Sequence, residues 1–344
     1  MSFMIPQDFS RRQFLTASSA ALLAAACPGR AEDSRELIYD TSATTQPSHP
    51  AVTYDGPIID IHQHTDYSGR SDEQLLLHQR NMGVSQTVLL PAGHPVKRPS
   101  THMGKSNGLA AQCGPIETCY RIVQEHPGEY FFFANEVPDV ENARQEIEKY
   151  LKLGALGIGE EKFNIDVESP AFDVVAGLAT DYGVPLLMHI QYQMYNHGFD
   201  RFWRVLEKYP RTRFIGHAQT MWANIDKLAD QKVLYPKTPV KAGGLTDRYL
   251  RDYPNFFADI SAGSGLNSML RDEEHARAFL LTHQDKIMYG SDCNDRTGKI
   301  PDCQGVLTIG AIKRLAPSKE IARKILHDNA ARELKIPALT KAEG

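Results

Sequence analysis

An α/β fold, a (β/α)8 TIM barrel, is predicted for this 344-residue chain by three observations. From residue 56 onward, eight short apolar runs alternate with longer amphipathic ones, the pattern of a parallel sheet covered by helices. Histidines and a carboxylate recur at the ends of those runs, the end of a barrel strand where active sites lie. No glycine fingerprint for a dinucleotide follows the first run, which argues against an open doubly wound sheet.

The eight expected strands are 57–62, 85–90, 130–135, 155–160, 184–190, 213–217, 256–260 and 286–290. They are rich in β-branched and aromatic residues and mostly apolar throughout, as strands buried on both faces are. Between them, Ser71 and Gln74 have the spacing of a capping box. Ser169 and Pro170 open a helix that Gly183 closes. Phe172, Val175, Ala176, Ala179 and Tyr182 share one face of it. Helices are also expected over 141–153, 266–283 and 318–335. Pro236, Pro239, Gly243 and Gly244 mark 233–246 as a loop inserted between strands six and seven.

The barrel is expected over 55–338, with a short tail at 339–344 and a polar linker at 32–54. Residues 1–31 read as an export signal. Ser10-Arg11-Arg12-Gln13-Phe14-Leu15 is a twin-arginine signature, and a small-residue apolar stretch follows it. The expected partner during export is the Tat translocase, and the expected location is periplasmic or otherwise extracytoplasmic. Lipid anchoring at Cys27 is the weaker alternative, because Ala24 stands where a leucine is normally wanted. No apolar run reaches the ~20 residues that span a bilayer. The net charge of −4 comes without a basic stripe, so nucleic acid is not an expected partner. Cys113 and Cys119, and Cys293 and Cys303, show no diagnostic spacing, and no CxxC pair suggests a cysteine zinc site.

The chemistry concentrates at strand ends. His62 and His64 form a His-x-His pair after the first strand, and residues two apart on a strand point to one side. Strand five runs into His189, strand six ends in His217 and strand eight leads to Asp292. Imidazoles plus a carboxylate suit Zn2+ or Mn2+, with Fe2+ also compatible. A bound divalent metal lowers the pKa of water from ~15.7 to about 7. Asp292 is the expected ligand and general base, and His217 binds the metal or polarises the substrate. On strand four, Glu160 is the expected metal-facing group, with Lys162 next and Glu161 on the surface. Around the mouth, Trp222 is a candidate wall of the substrate pocket, or else packs a loop onto the barrel. Lys162 and Asn294 are candidate substrate contacts, and Asp259 is a candidate support for a ligand histidine. His78, His126, His275, His283 and His327 fall on expected helices and read as structural.

These residues bring a family into view. Ile59-Asp60-Ile61-His62-Gln63-His64, Met188-His189, Ile215-Gly216-His217-Ala218, Tyr289-Gly290-Ser291-Asp292 and Ile325-Leu326-His327-Asp328-Asn329-Ala330 together resemble the amidohydrolase superfamily, in its amidohydrolase-related branch. The resemblance implies a TIM barrel of the metal-dependent hydrolase type with one or two metals. It implies His62, His64 and His189 as ligands, His217 as ligand or electrophile, and Asp292 as ligand and base. Strand four departs from a carboxylated-lysine context. The superfamily also holds decarboxylases and lactonases, so three functions compete. They are hydrolysis of an amide or lactone in a small polar molecule, non-oxidative decarboxylation, and non-catalytic binding. Arg98, Arg248 and Arg296 lie in candidate mouth loops and would favour the second. Related barrels are often homodimers, and the same is expected here by analogy.

Replacing both signal arginines, Arg11→Lys with Arg12→Lys, is expected to leave precursor in the cytoplasm. Cell fractionation checks this, and unchanged export would exclude the twin-arginine route.

Overall fold

The computed structural model describes residues 51–101 and 113–339. The expected export signal, Cys27, His49, most of the linker and His102 lie outside the described residues.

All eight expected strands form: β1 (Ile59–Gln63), β2 (Gln86–Leu89), β3 (Tyr130–Phe132), β4 (Ile158–Glu161), β5 (Leu186–His189), β6 (Phe214–His217), β7 (Phe256–Asp259) and β8 (Ile287–Met288). Every ladder is parallel, in the order β1-β2-β3 and β4-β5-β6-β7-β8. Two seams close these sheets into a barrel. At one, the Ala134 N–H donates to Gly157 O and the Gly159 N–H to Ala134 O, each at 2.9 Å. At the other, the Ile61 N–H donates to Tyr289 O at 3.1 Å and the Asp292 N–H to His62 O at 2.8 Å.

The helices follow in chain order: α1 (Asp72–Met82), α2 (Ile116–Glu125), α3 (Ala143–Lys152), α4 (Pro170–Tyr182), α5 (Trp203–Lys208), α6 (Gln219–Ala223), α7 (Leu245–Asp252), α8 (Ala262–Leu270), α9 (Glu273–Thr282), α10 (Gln304–Leu315), α11 (Lys319–Arg323) and α12 (Asn329–Glu333). The Ser71–Gln74 capping box is present at α1. Ser169 caps α4, and Gly183 ends it in the left-handed conformation. The single helix expected over 266–283 is two, α8 and α9. Asp272 interrupts it, because its carboxylate accepts the His275 N–H at 3.0 Å and starts a new helix. A π turn at Lys324–Asp328 joins α11 to α12.

The interior is packed by Ile59, Ile61, Val88, Leu187, Ile215 and Met288, and Ala330, Leu334 and Ile336 of the last segment join this cluster. A second core lies between strands and helices, where Phe172 and Phe202 pack on Phe214 with ring centroids 6.4 and 5.4 Å apart.

Truncating this outer core in Phe172→Ala removes a fully buried ring. It should cost about 3–5 kcal/mol, read as a lowered denaturant midpoint; a wild-type midpoint would mean the ring contributes little packing.

Candidate metal centre

The donors reach one point because strand geometry aims them there. Leu187 and His189, Ile215 and His217, and Phe257 and Asp259 are pairs two apart whose first member is in the interior cluster. The second member therefore faces inward one layer higher, at the strand's C-terminal end. On β1 the alternation breaks, since Ile61 is interior yet His62 also reaches the centre. A register shift between Asp60 and Gln63 allows it. A similar shift on β4 lies between Ile158 and Glu161. Gly159 sits there at φ +136°, and a Cβ would come within 2.5 Å of Leu187 O.

His62, His64, Glu160, His189, His217 and Asp292 meet in one buried cluster. Glu160 Oε2 lies 3.7 Å from Nε2 of both His62 and His64. Its Oε1 lies 2.7 Å from His189 Nδ1 and 3.8 Å from His217 Nε2. Asp292 repeats the pattern from β8. Its Oδ1 is 3.7 Å from His62 Nε2 and 3.5 Å from His64 Nε2, and its Oδ2 is 3.5 Å from His217 Nε2. Each carboxylate thus spans the β1 pair and the β5–β6 side.

Acceptors behind the rings fix the tautomers. His62 Nδ1 donates to Asp259 Oδ2 at 2.6 Å, and His64 Nδ1 to Leu90 O at 2.7 Å. Ser261 Oγ donates to Asp259 Oδ2 and accepts from His217 Nδ1, both at 2.8 Å. A proton on each Nδ1 leaves each Nε2 lone pair facing the centre, the arrangement of a ligand histidine. His62 Nε2, His64 Nε2, Glu160 Oε2 and Asp292 Oδ1 are buried with no hydrogen-bond partner. Buried polar atoms without partners are costly, and a divalent cation satisfies all four. The donor set fits such an ion, in groups of His62, His64 and Glu160, of His62, His217 and Asp292, and of Glu160, His189 and His217.

Electrostatics agree. Burial would raise the Glu160 carboxyl, but the Lys162 cation and the histidines hold it well below the usual range. Burial likewise opposes ionisation of Asp292, and His62, His217 and His64 outweigh it. Burial would lower His62, yet the Asp292 and Asp259 charges raise it well above its ordinary value.

Other expected site residues divide. Lys162 is buried beside the centre, its Nζ 5.6 Å from the Tyr195 ring centroid. Asn294 is half-buried at the rim, donating to Ser68 Oγ at 3.2 Å. Trp222 does not wall the mouth. It packs on Phe279 in the helix layer, and its indole N–H donates to Asp259 O at 3.0 Å. An apolar ring with one donor is better accommodated there than among charged groups. Glu161 is not on the surface. It is fully buried, because β4 is covered on both faces, and burial pushes its carboxyl up to about 8. Arg248 lies on α7 and is exposed, and Arg296 is exposed as well. Arg98 pairs with Asp139.

Sequence reasoning missed the groups that hold the strand ends. Asn135 donates to Pro91 O and Glu160 O at 3.0 and 2.9 Å, and Asn196 to Glu161 O and His189 O at 2.7 Å each. Asp60 accepts from the backbone N–H of His62 and of Ser291. Buried Arg70 donates to Gln63 Oε1, His64 O, Cys293 O and Asp295 O. Only the motif around Asp60 offered a signal.

Comparison with known proteins accords with this geometry. The amidohydrolase family profile matches residues 59–336, and the chain belongs to that family. A crystal structure of 2,6-dihydroxybenzoate decarboxylase bound to 2,6-dihydroxybenzoate is 14% identical, covering 81% of this chain and 99% of that one, with a TM-score of 0.50. A probable 2-pyrone-4,6-dicarboxylic acid hydrolase from Acinetobacter baumannii is 12% identical, covering 81% and 100%, with a TM-score of 0.53. A TatD homologue from Escherichia coli is 14% identical, covering 81% and 98%, also at 0.53. At these identities the likeness is one of fold, the TIM barrel. No curated protein matches in sequence. The protein is therefore an enzyme of the amidohydrolase family, and metal-dependent hydrolysis and decarboxylation both fit its class.

A proton on His62 competes with a metal for Nε2. Against its burial, the Asp292 and Asp259 charges hold His62 above its ordinary value, so they favour that proton. Apparent metal affinity should therefore fall as the pH is lowered. Competition titration against a chromophoric chelator measures it, and a flat profile would mean no proton is displaced.

Proposed function

We propose that this chain is an exported, metal-dependent hydrolase that cleaves a C–N or C–O bond, in an amide or a lactone, of a small polar molecule. The observation that carries the reading is Asp292. Its carboxylate stays ionised in a buried site, faces His62 and His64 with one oxygen and His217 with the other, and so can accept a proton at the centre of the cluster. His62, His64, His189, His217, Glu160 and Asp292 would hold a divalent metal, Zn2+ before Mn2+. Bound there, the metal supplies Lewis acidity that activates water and polarises the scissile group. Glu160 turns one oxygen toward His62 and His64 and the other toward His189 and His217, so it would hold a metal from either half of the site. Asp259 and Ser261 orient His62 and His217. His217 Nε2 is positioned to ligate or to polarise, with its proton held at Nδ1 by Ser261.

Lys162 favours a substrate with an anionic group, since its buried cation stands beside the centre. A carboxylate substrate admits a second reading, non-oxidative decarboxylation, in which a neighbouring group protonates the vacated carbon. The twin-arginine signature supports the export part of this reading, to the periplasm or otherwise outside the cytoplasm.

Asp292→Asn should keep the barrel folded and lower kcat by about 10²–10⁴-fold, the range for a lost general base. Unchanged turnover would remove Asp292 from the mechanism. Product analysis on panels of lactones, amides and aromatic carboxylates decides the reaction. Label from heavy-oxygen water in the product acid marks hydrolysis, whereas deuterium on carbon with CO2 release marks decarboxylation and overturns the first reading.

A further inference from the structure

Behind the loop that follows β8 lies a second group of metal-type donors that the reaction proposed above does not use. Cys293 Sγ and Cys303 Sγ are 3.6 Å apart. His78 Nε2 is 3.3 Å from Cys303 Sγ, and Met82 Sδ is 3.4 Å from it. The donor atoms of His78, Cys293 and Cys303 lie within 4.8 Å of one another. All four side chains are buried. His78 and Met82 are one turn apart on α1, so they present their donors on one face.

We propose that Cys293, Cys303 and His78 hold a divalent thiophilic cation, Zn2+, beside Met82, in a structural site separate from the centre at the barrel mouth. The Cys303–Cys293 and Cys303–His78 separations are those of edges of a tetrahedral site. With Zn–S of ~2.3 Å and Zn–N of ~2.0–2.1 Å, two thiolates sit about 3.7 Å apart and a sulfur and a nitrogen about 3.5 Å apart. The 3.6 Å between the sulfurs and the 3.3 Å from Cys303 to His78 are close to these edges. A disulfide would instead draw the sulfurs to ~2.05 Å and would use neither His78 nor Met82. Charge favours the same ion. Two thiolates neutralise one divalent cation, so the buried site carries no net charge. The two thiol protons pass to solvent as the ion enters.

The site would fasten α1 to the segment that presents Asp292. Cys293 follows Asp292 directly, and its carbonyl already accepts from Arg70 at 2.9 Å and Gln63 at 3.2 Å. The histidine read as structural from its helix is then a ligand, and the cysteines have a partner that no sequence motif announced.

The test is a Co2+ titration of the full chain, reduced and treated with chelator. Ligation by sulfur produces thiolate-to-metal charge-transfer absorption, which histidine and carboxylate ligands at the mouth cannot. With the mouth ligands removed by His62→Ala with His64→Ala, the band should saturate at one equivalent per chain. It should vanish in Cys293→Ser and in Cys303→Ser, and persist in Cys113→Ser and in the double variant His62→Ala with His64→Ala. X-ray absorption of the zinc-loaded wild type keeps the proposal testable if the serine variants do not fold, because sulfur neighbours at ~2.3 Å are expected. Reduced thiols with no such band, or only nitrogen and oxygen around zinc, would overturn it. So would a Cys293–Cys303 disulfide in the purified protein with every bound ion removed by the His62 and His64 substitutions.

Discussion

Each imidazole in this enzyme is aimed by the acceptor behind it, and the rest of the site depends on that. A neutral histidine has one ring nitrogen to give and one to keep. Asp259, Ser261 and Leu90 O take the proton of His62, His217 and His64 respectively. The remaining lone pairs converge between two carboxylates. Without those acceptors the rings would be free to turn, and the same six residues would be a collection of buried charges rather than a site. The barrel contributes by delivering the acceptors on its own strands. Asp259 ends β7, and Ser261 follows it as α8 begins.

That delivery requires close approach between strand ends. Gly290 shows how close. A Cβ there would lie 2.5 Å from Asp259 Oδ1 and 2.7 Å from His62 Cβ. Asp60 links the two ends of the barrel, receiving N–H groups from β1 and from the segment after β8. Asp292 itself adopts a positive φ of 42°, which aspartate tolerates better than most residues. Catalytic geometry and barrel closure are thus one set of contacts seen from two sides.

Much of this was legible in the sequence because it depends on local periodicity. Eight apolar runs gave eight strands, and Ser71, Ser169 and Gly183 marked helix ends where the chain places them. His189 and His217 could be put at strand ends because β5 and β6 are regular. What escaped prediction depends on irregularity or on distance. The register shifts of β1 and β4 break the period of two, so the burial of Glu161 does not follow from alternation, and His62 was placed at the centre by its His-x-His motif although Ile61 beside it is also interior. Asp272 splits a helix whose apolar spacing looked continuous. Trp222 was placed near the mouth by its position after β6, but its indole lies in the helix layer. The proximity of His78 to Cys303 is tertiary, and 225 positions separate them.

The floor of the barrel is made by the segment that follows β8 and α11, residues 329–337. Ala330, Leu334 and Ile336 pack with Ile59, Ile61 and Val88, and Asn329 ties the last segment to Ile287 O at 2.8 Å. Gln86 reaches Pro337 O at 2.9 Å. First strand and last helix therefore complete the same core. During synthesis the growing polypeptide would expose that core until Ala330, Leu334 and Ile336 have left the ribosome. The barrel can close only once this segment is available, so a chain terminated before Ala330 would present an open-bottomed barrel to the cell's proteases and chaperones.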